Sequence, residues 1–144
     1  MYCYTFQYIY SMKTKKIILF DGVCNLCNSS VQFIIERDTK NVFLFSSLQS
    51  DFGQKILKEN NLNEENFDSI ILIDEDKIYQ KSDAALRIAK ELQSPIKYFN
   101  LFLILPQFLR DFGYDLIAKN RYKFFGKQES CWIPTEELKN KFLN

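Results

Sequence analysis

The chain of 144 residues is 47% hydrophobic and 16% aromatic, enough to close one ordinary core and hardly two. Nineteen Lys and Arg stand against eighteen Asp and Glu, a formal charge of +1, and no block of one sign is long enough to argue for a nucleic-acid or membrane-surface partner. It has no histidine, which removes the commonest general base, the triads that depend on it and most catalytic zinc sites.

Residues 1–12, MYCYTFQYIYSM, carry no helical or strand period and lack the basic start and long apolar core of a secretory signal. Met12, followed by KTKKIILF, offers a natural initiator, which would leave residues 1–12 as an extension upstream of a single domain over 13–144. Without an export signal, the four cysteines read as reduced, working thiols in the cytoplasm rather than as a disulfide scaffold.

Lys16 to Phe20 is a short continuous apolar run, suited to a strand buried on both faces. From Asn25 to Arg37, Cys27, Val31 and Ile34 fall at helical spacing, and Asn41 ends the pattern. Val42 to Phe45 repeats the strand signature. Leu48 to Asn60 reads as a weaker helix interrupted by Gly53. Ser69–Ile73 and Lys77–Gln80 flank a tight polar turn and predict an antiparallel hairpin. Ser82 is a good N-cap with Asp83 in the first turn, and Ala85, Ala89 and Leu92 give that helix one apolar face before Ser94-Pro95 stops it. The order is βαβαββα. Beyond it, Tyr98 to Leu105 is a run far short of the roughly 20 residues that span a bilayer; burial against the sheet is expected. Pro106 opens a helix through Leu109, Phe112, Leu116 and Ala118 to Phe125, closed by Gly126. A last helix is expected to open at Thr135.

The chemistry lies in DGVCNLC, Asp21 to Cys27, directly after the first strand. A helix that opens at Cys24 offers unpaired N–H groups and a partial positive charge to that sulfur, so a thiolate is favoured there. Cys27 shares its face with Val31 and Ile34, one turn deeper, where it would be shielded. Cys24 would then attack a substrate disulfide from an exposed position, and Cys27 would resolve the mixed disulfide, leaving a Cys24–Cys27 bridge for a thiol reductant to reopen. No metal or bound cofactor is needed. The spacing alone also fits half of a zinc site, but only Cys3 and Cys131 remain as ligands, with no second CxxC; a cluster shared between two chains stays open. The strand, turn and helix around the pair, within a βαβαββα order, make an α/β domain with a thioredoxin-like core and a C-terminal helical extension.

Three blocks carry a family resemblance. ILFDGVCNLCN resembles the signature of the DCC-type thiol-disulfide oxidoreductases, with Asp21, Cys24 and Cys27. DSIILIDEDKIYQKSDAALRIAKEL is similar to their middle segment, with Ser82 and Ala84. LPQFLRDFGYDLIAKNRYKFFGK is similar to their third block, with Pro106, Asp111, Tyr114, Asn120, Arg121 and Tyr122. The resemblance implies a thioredoxin-like fold and redox chemistry, with a disulfide-containing protein or small molecule as substrate.

Thioredoxins place a cis-proline opposite the CxxC; the corresponding stretch here is Phe67-Asp68-Ser69-Ile70, with none. Ser69 is the candidate substrate contact. Asp21 reads equally as a proton acceptor for Cys27 and as an Asx-turn residue before Gly22. Arg121 and Tyr122 read as structural ahead of anion-binding, and Cys131 as a buried thiol or a third redox group. IILFDGV also resembles the strand end of haloacid-dehalogenase-like phosphatases, but Leu19 would occupy the nucleophile position. A redox-gated binding module without turnover is the other alternative.

Overall fold

A computed structural model describes residues 15–62, 70–126, 135, 136 and 138–143. The extension 1–12, Ser69, Cys3 and Cys131 lie outside the described residues. In chain order the elements are β1 (Lys16–Phe20), α1 (Asn25–Arg37), β2 (Phe43–Ser47), α2 (Asp51–Glu59), β3 (Ile71–Asp74), β4 (Lys77–Gln80), α3 (Lys81–Glu91), a 3-10 helix (Ile96–Ile104), α4 (Gln107–Phe125) and a 3-10 turn (Lys139–Lys141).

The sheet runs β2-β1-β3-β4. β1 and β2 pair in parallel, as a crossover through α1 requires, while β3 runs antiparallel to both β1 and β4. A βαβ unit followed by an antiparallel hairpin and a helix, with β1 inside the sheet, is the thioredoxin-like α/β fold.

The apolar run of β1 serves two cores at once. Ile18 and Phe20 point into one cluster with Val31 and Ile34 of α1 and Ala84 and Ile88 of α3. Ile17 and Leu19 point the other way, toward Leu57 of α2 and Leu48. Alternate side chains of a strand leave on opposite faces, so a strand covered on both sides needs no polar position.

Four local expectations are corrected. Tyr98 to Leu105 is not buried on the sheet. It forms most of a 3-10 helix followed by an extended residue, and Leu101 and Ile104 stand 62% and 84% exposed. Both faces of the sheet are already covered by α1, α3 and α2, which leaves this segment only the flank of α3. Gly53 does not interrupt α2; the helix runs from Asp51 through it, capped by the Ser50 hydroxyl, which accepts from the Gly53 N–H. Its first turn lies so close to the end of β2 that a Cβ at position 53 would stand 2.3 Å from the Ser47 carbonyl oxygen. Ser82 is no N-cap. α3 begins one residue earlier, and the buried Ser82 hydroxyl donates to Asp111 of α4. Finally, the described residues after Thr135 form only the short 3-10 turn, after which Phe142 bridges in parallel to Phe45 and the Leu143 N–H donates to the Phe45 carbonyl at 2.7 Å. The tail thus extends the β2 edge of the sheet.

α4 is tied across α3 and the hairpin. Arg110 pairs with Asp83 at 2.8 Å and Lys81 with Asp115 at 3.0 Å. The Tyr114 hydroxyl accepts from the Ile70 N–H at 2.9 Å.

Candidate active site

β1 ends at Phe20, and Asp21 to Cys24 turn the chain into α1. Cys24 has extended backbone angles, φ −89° and ψ 123°, and occupies the N-cap of α1. Its N–H donates to the Asp21 carbonyl at 3.3 Å, and its own carbonyl accepts from the Asn28 N–H at 3.0 Å. The Asn28 side chain reaches back to donate to the Gly22 carbonyl at 2.9 Å, fixing the turn from inside. No acidic residue lies in the first turn of α1; the Asp21 carboxylate lies just ahead of it, in the turn from β1.

Cys24 and Cys27 are both free thiols, Cys24 buried and Cys27 half-buried. Cys24 is 0% exposed. The order of exposure is therefore the reverse of the sequence expectation. The C-terminal end of α4 lies against the first turn of α1: the Asn25 side chain donates to the Phe125 carbonyl at 2.8 Å and the Asn25 N–H to the Gly126 carbonyl at 3.4 Å. Gly126 takes φ +83°, a left-handed conformation that suits a residue without Cβ at this close approach. Cys27, by contrast, opens onto a cavity between α1, α3 and α4.

Asp21 is buried and saturated. Its Oδ1 accepts from the Val23 N–H at 3.1 Å, the expected Asx-type turn bond, and from Gln49 Nε2 at 2.7 Å. Its Oδ2 accepts from Arg121 Nη2 at 3.0 Å and from the Tyr122 hydroxyl. Among the described residues, Asp21 reaches Cys27 through Arg121, whose Nη1 stands 3.8 Å from the Cys27 sulfur. The sequence reading set Arg121 and Tyr122 aside as structural. They are structural partners of Asp21, and they also bring a cation to the cysteine pair. The signal available was an Asp at the end of a doubly buried strand, which required a buried donor set from elsewhere in the chain.

The electrostatics separate the two thiols. Burial pushes the Cys27 thiol up to about 12, and the neighbouring Cys24 and Asp21 push the same way, while Arg121 acts against them. Burial likewise raises Tyr114 to about 12, and burial with the Asp21 bond raises Tyr122 to about 12. Burial lowers the Arg121 pKa, but Cys27, Tyr122 and Asp21 outweigh it and leave the guanidinium more firmly charged.

Among the described residues, no group of three or more His, Cys, Asp or Glu side chains is placed to hold a metal. Nor is any helix there long and apolar enough to cross a membrane.

A thioredoxin-like sheet with a CxxC pair at the start of the helix after its first strand is the arrangement expected of the thiol-disulfide oxidoreductases in general. The comparison with known families gives the same class and makes it specific: the chain belongs to the DCC1-like thiol-disulfide oxidoreductase family, matched over residues 18–127. It is similar to the uncharacterized protein YuxK of Bacillus subtilis (strain 168), 47% identical over 128 residues that cover 89% of this chain and 93% of the relative. It is also similar to a DCC family protein of Arabidopsis thaliana described as chloroplastic, 41% identical over 118 residues, covering 81% and 69% of the two chains. No solved structure matches the chain.

Proposed function

We propose that the chain reduces or exchanges disulfides by a two-thiol cycle in which Cys24 attacks and Cys27 resolves. What supports this reading is the asymmetry of the pair: Cys24 sits at the N-cap of α1, and burial pushes the Cys27 thiol up to about 12; because Cys24 is itself buried, its attack requires the end of α4 to move off the first turn of α1. A thiol raised in this way is the weaker nucleophile at neutral pH and suits the second step.

Cys24, as thiolate, attacks one sulfur of a substrate disulfide and expels the other as a thiolate, which takes up a proton. Cys27 then loses its proton and attacks the Cys24 sulfur, releasing the second substrate thiol. The substrate gains two electrons, and the protein is left with a Cys24–Cys27 disulfide. Arg121, 3.8 Å from the Cys27 sulfur, stabilises the negative charge that Cys27 acquires in this step. Asp21 acts as a positioning residue: it holds Arg121 in place, and its four donors leave it no role as an open base.

The substrate is a disulfide of a protein or small molecule, and a thiol reductant restores the pair. The reaction belongs in a reducing compartment, the cytoplasm in this reading, where a free dithiol persists. Residues 13–144 supply the one domain required, and Ser69 remains the proposed substrate contact. The exposed apolar residues of the 3-10 helix and α4 favour a second reading, a redox-gated binding module.

Steady-state turnover of a disulfide with a supplied reductant decides between them. The oxidoreductase reading expects turnover that disappears in Cys24→Ser. A pair that oxidises and reduces reversibly yet never turns over would leave the binding module.

A further inference from the structure

The cavity that Cys27 faces has a volume of about 510 Å³, within the roughly 300–1,000 Å³ of small-molecule sites. Ala85, Ala89 and Ala118 leave the space between α1, α3 and α4, and Phe33 and Ile117 line it further out. Its polar lining is Cys27, Arg121 and Tyr114 with Ser29 and Ser30, and Arg121 Nη1 stands 3.8 Å from the Cys27 sulfur. Cys24 does not line it. The Tyr114 oxygen already accepts from the Ile70 N–H, and among the described residues its own proton has no acceptor, so it is available to a ligand.

We propose that this cavity binds an uncharged, largely apolar dithiol, the reductant that reopens the Cys24–Cys27 disulfide; the inference rests on the two-thiol cycle above. One ligand thiol, as thiolate, attacks the Cys27 sulfur, the sulfur that the cavity presents. The Cys24–Cys27 bond breaks and its electron pair leaves on Cys24, at the positive end of α1. The second ligand thiol, deprotonated, then attacks the ligand sulfur bound to Cys27. The ligand closes to a cyclic disulfide, and Cys27 departs as a thiolate beside Arg121 and takes up a proton. Two electrons pass from the dithiol to the protein disulfide, and all four sulfurs are accounted for.

The lining selects the ligand class. A charged peptide thiol would give up its hydration to apolar walls with few polar partners. An alkyl dithiol gives up little and gains burial of its chain.

The test uses oxidised full-length protein and three reductants at equal concentration: 6,8-dimercaptooctanamide, dithiothreitol and glutathione. Loss of the Cys24–Cys27 disulfide is followed by thiol trapping and mass spectrometry. The alkyl dithiol should reduce the pair at least about tenfold faster than dithiothreitol, the effect of burying two or so methylenes, with a rate that saturates in its concentration. In Ala89→Leu and Ala85→Leu, which fill the cavity, the ratio of the two dithiol rates should fall by about the same factor. Equal, unsaturable rates in the wild-type protein, or a ratio unmoved by both fillings, would overturn the proposal while leaving the two-thiol cycle standing. If oxidation forms no Cys24–Cys27 disulfide at all, the cycle fails and the proposal with it.

Discussion

Arg121 Nη2 stands 3.0 Å from Asp21 Oδ2, with the two side chains 5% and 1% exposed. It is an ion pair between the end of β1 and the last turns of α4, 100 positions apart. Removing one partner of a buried pair strands the other charge, which costs about 3–5 kcal/mol. Arg121→Met should lower the stability from urea unfolding by that order, and Asp21→Asn combined with Arg121→Met should recover part of the loss. A cost below about 1 kcal/mol for Arg121→Met, the size of an exposed pair, would mean that the pair does not fasten α4 to the site.

Gly53 should tolerate no side chain. A Cβ would stand 2.3 Å from the Ser47 carbonyl oxygen and 3.1 Å from the Leu48 Cα, both backbone atoms, so β2 or α2 must shift. Gly53→Ala should destabilise by about 1–3 kcal/mol, the range for overpacking, although alanine is the better helix former by roughly 1 kcal/mol. Equal or higher stability in urea would contradict the close approach.

The pKa of Cys27 is raised in the folded state from 9.0 to about 12. Between those values the unfolded chain has lost a proton that the folded chain keeps, so the folded state binds more protons and stability falls as pH rises. Below pH 9 the contribution is complete. Unfolding midpoints in urea should therefore decline from about pH 9 upward, and the decline should be shallower in Cys27→Ser, which lacks the thiol. The Tyr114 pKa, raised from 10.0 to about 12, adds to the slope in both proteins. Identical slopes in the two would remove the burial of Cys27 as its cause.

The tail should contribute to stability through the β2 edge. Leu143 is 6% exposed, and its carbonyl accepts from the buried Ser46 hydroxyl at 2.7 Å. Leu143→Ala should cost about 2–4 kcal/mol, as for other large-to-small core changes. A cost under about 0.5 kcal/mol, the size of a surface change, would show that the bridge to Phe45 does not hold the tail.

The order of elements was legible because each signal was local. The unbroken apolar run of β1, the 3.6-residue spacing of Val31 and Ile34, and the polar turn before Lys77 declare their structures without knowledge of the rest. The same is true of the CxxC at the head of α1. What sequence could not show was contact at a distance. The distant donors to Asp21 come from Gln49, Arg121 and Tyr122, and no period links them. Ser82 has the composition of a cap, but it serves Asp111 instead. The exposure of the run after Pro95 depended on whether the sheet had a free face, which no segment reveals by itself. The reversal at the cysteines has the same origin, since the end of α4 lies against Asn25 while Cys27 lines a cavity whose walls include Ala85, Ala89 and Ala118.

The central claim is the division of labour between the two thiols, and a trapping experiment tests it most directly. In Cys27→Ser the mixed disulfide between Cys24 and its substrate lacks a resolving thiol, so it should accumulate as a covalent adduct that reductant releases. Peptide mapping should place the bond at Cys24, and Cys24→Ser should give no adduct. An adduct that forms through Cys27 in the Cys24→Ser variant, with none in Cys27→Ser, would contradict the account and make Cys27 the attacking thiol.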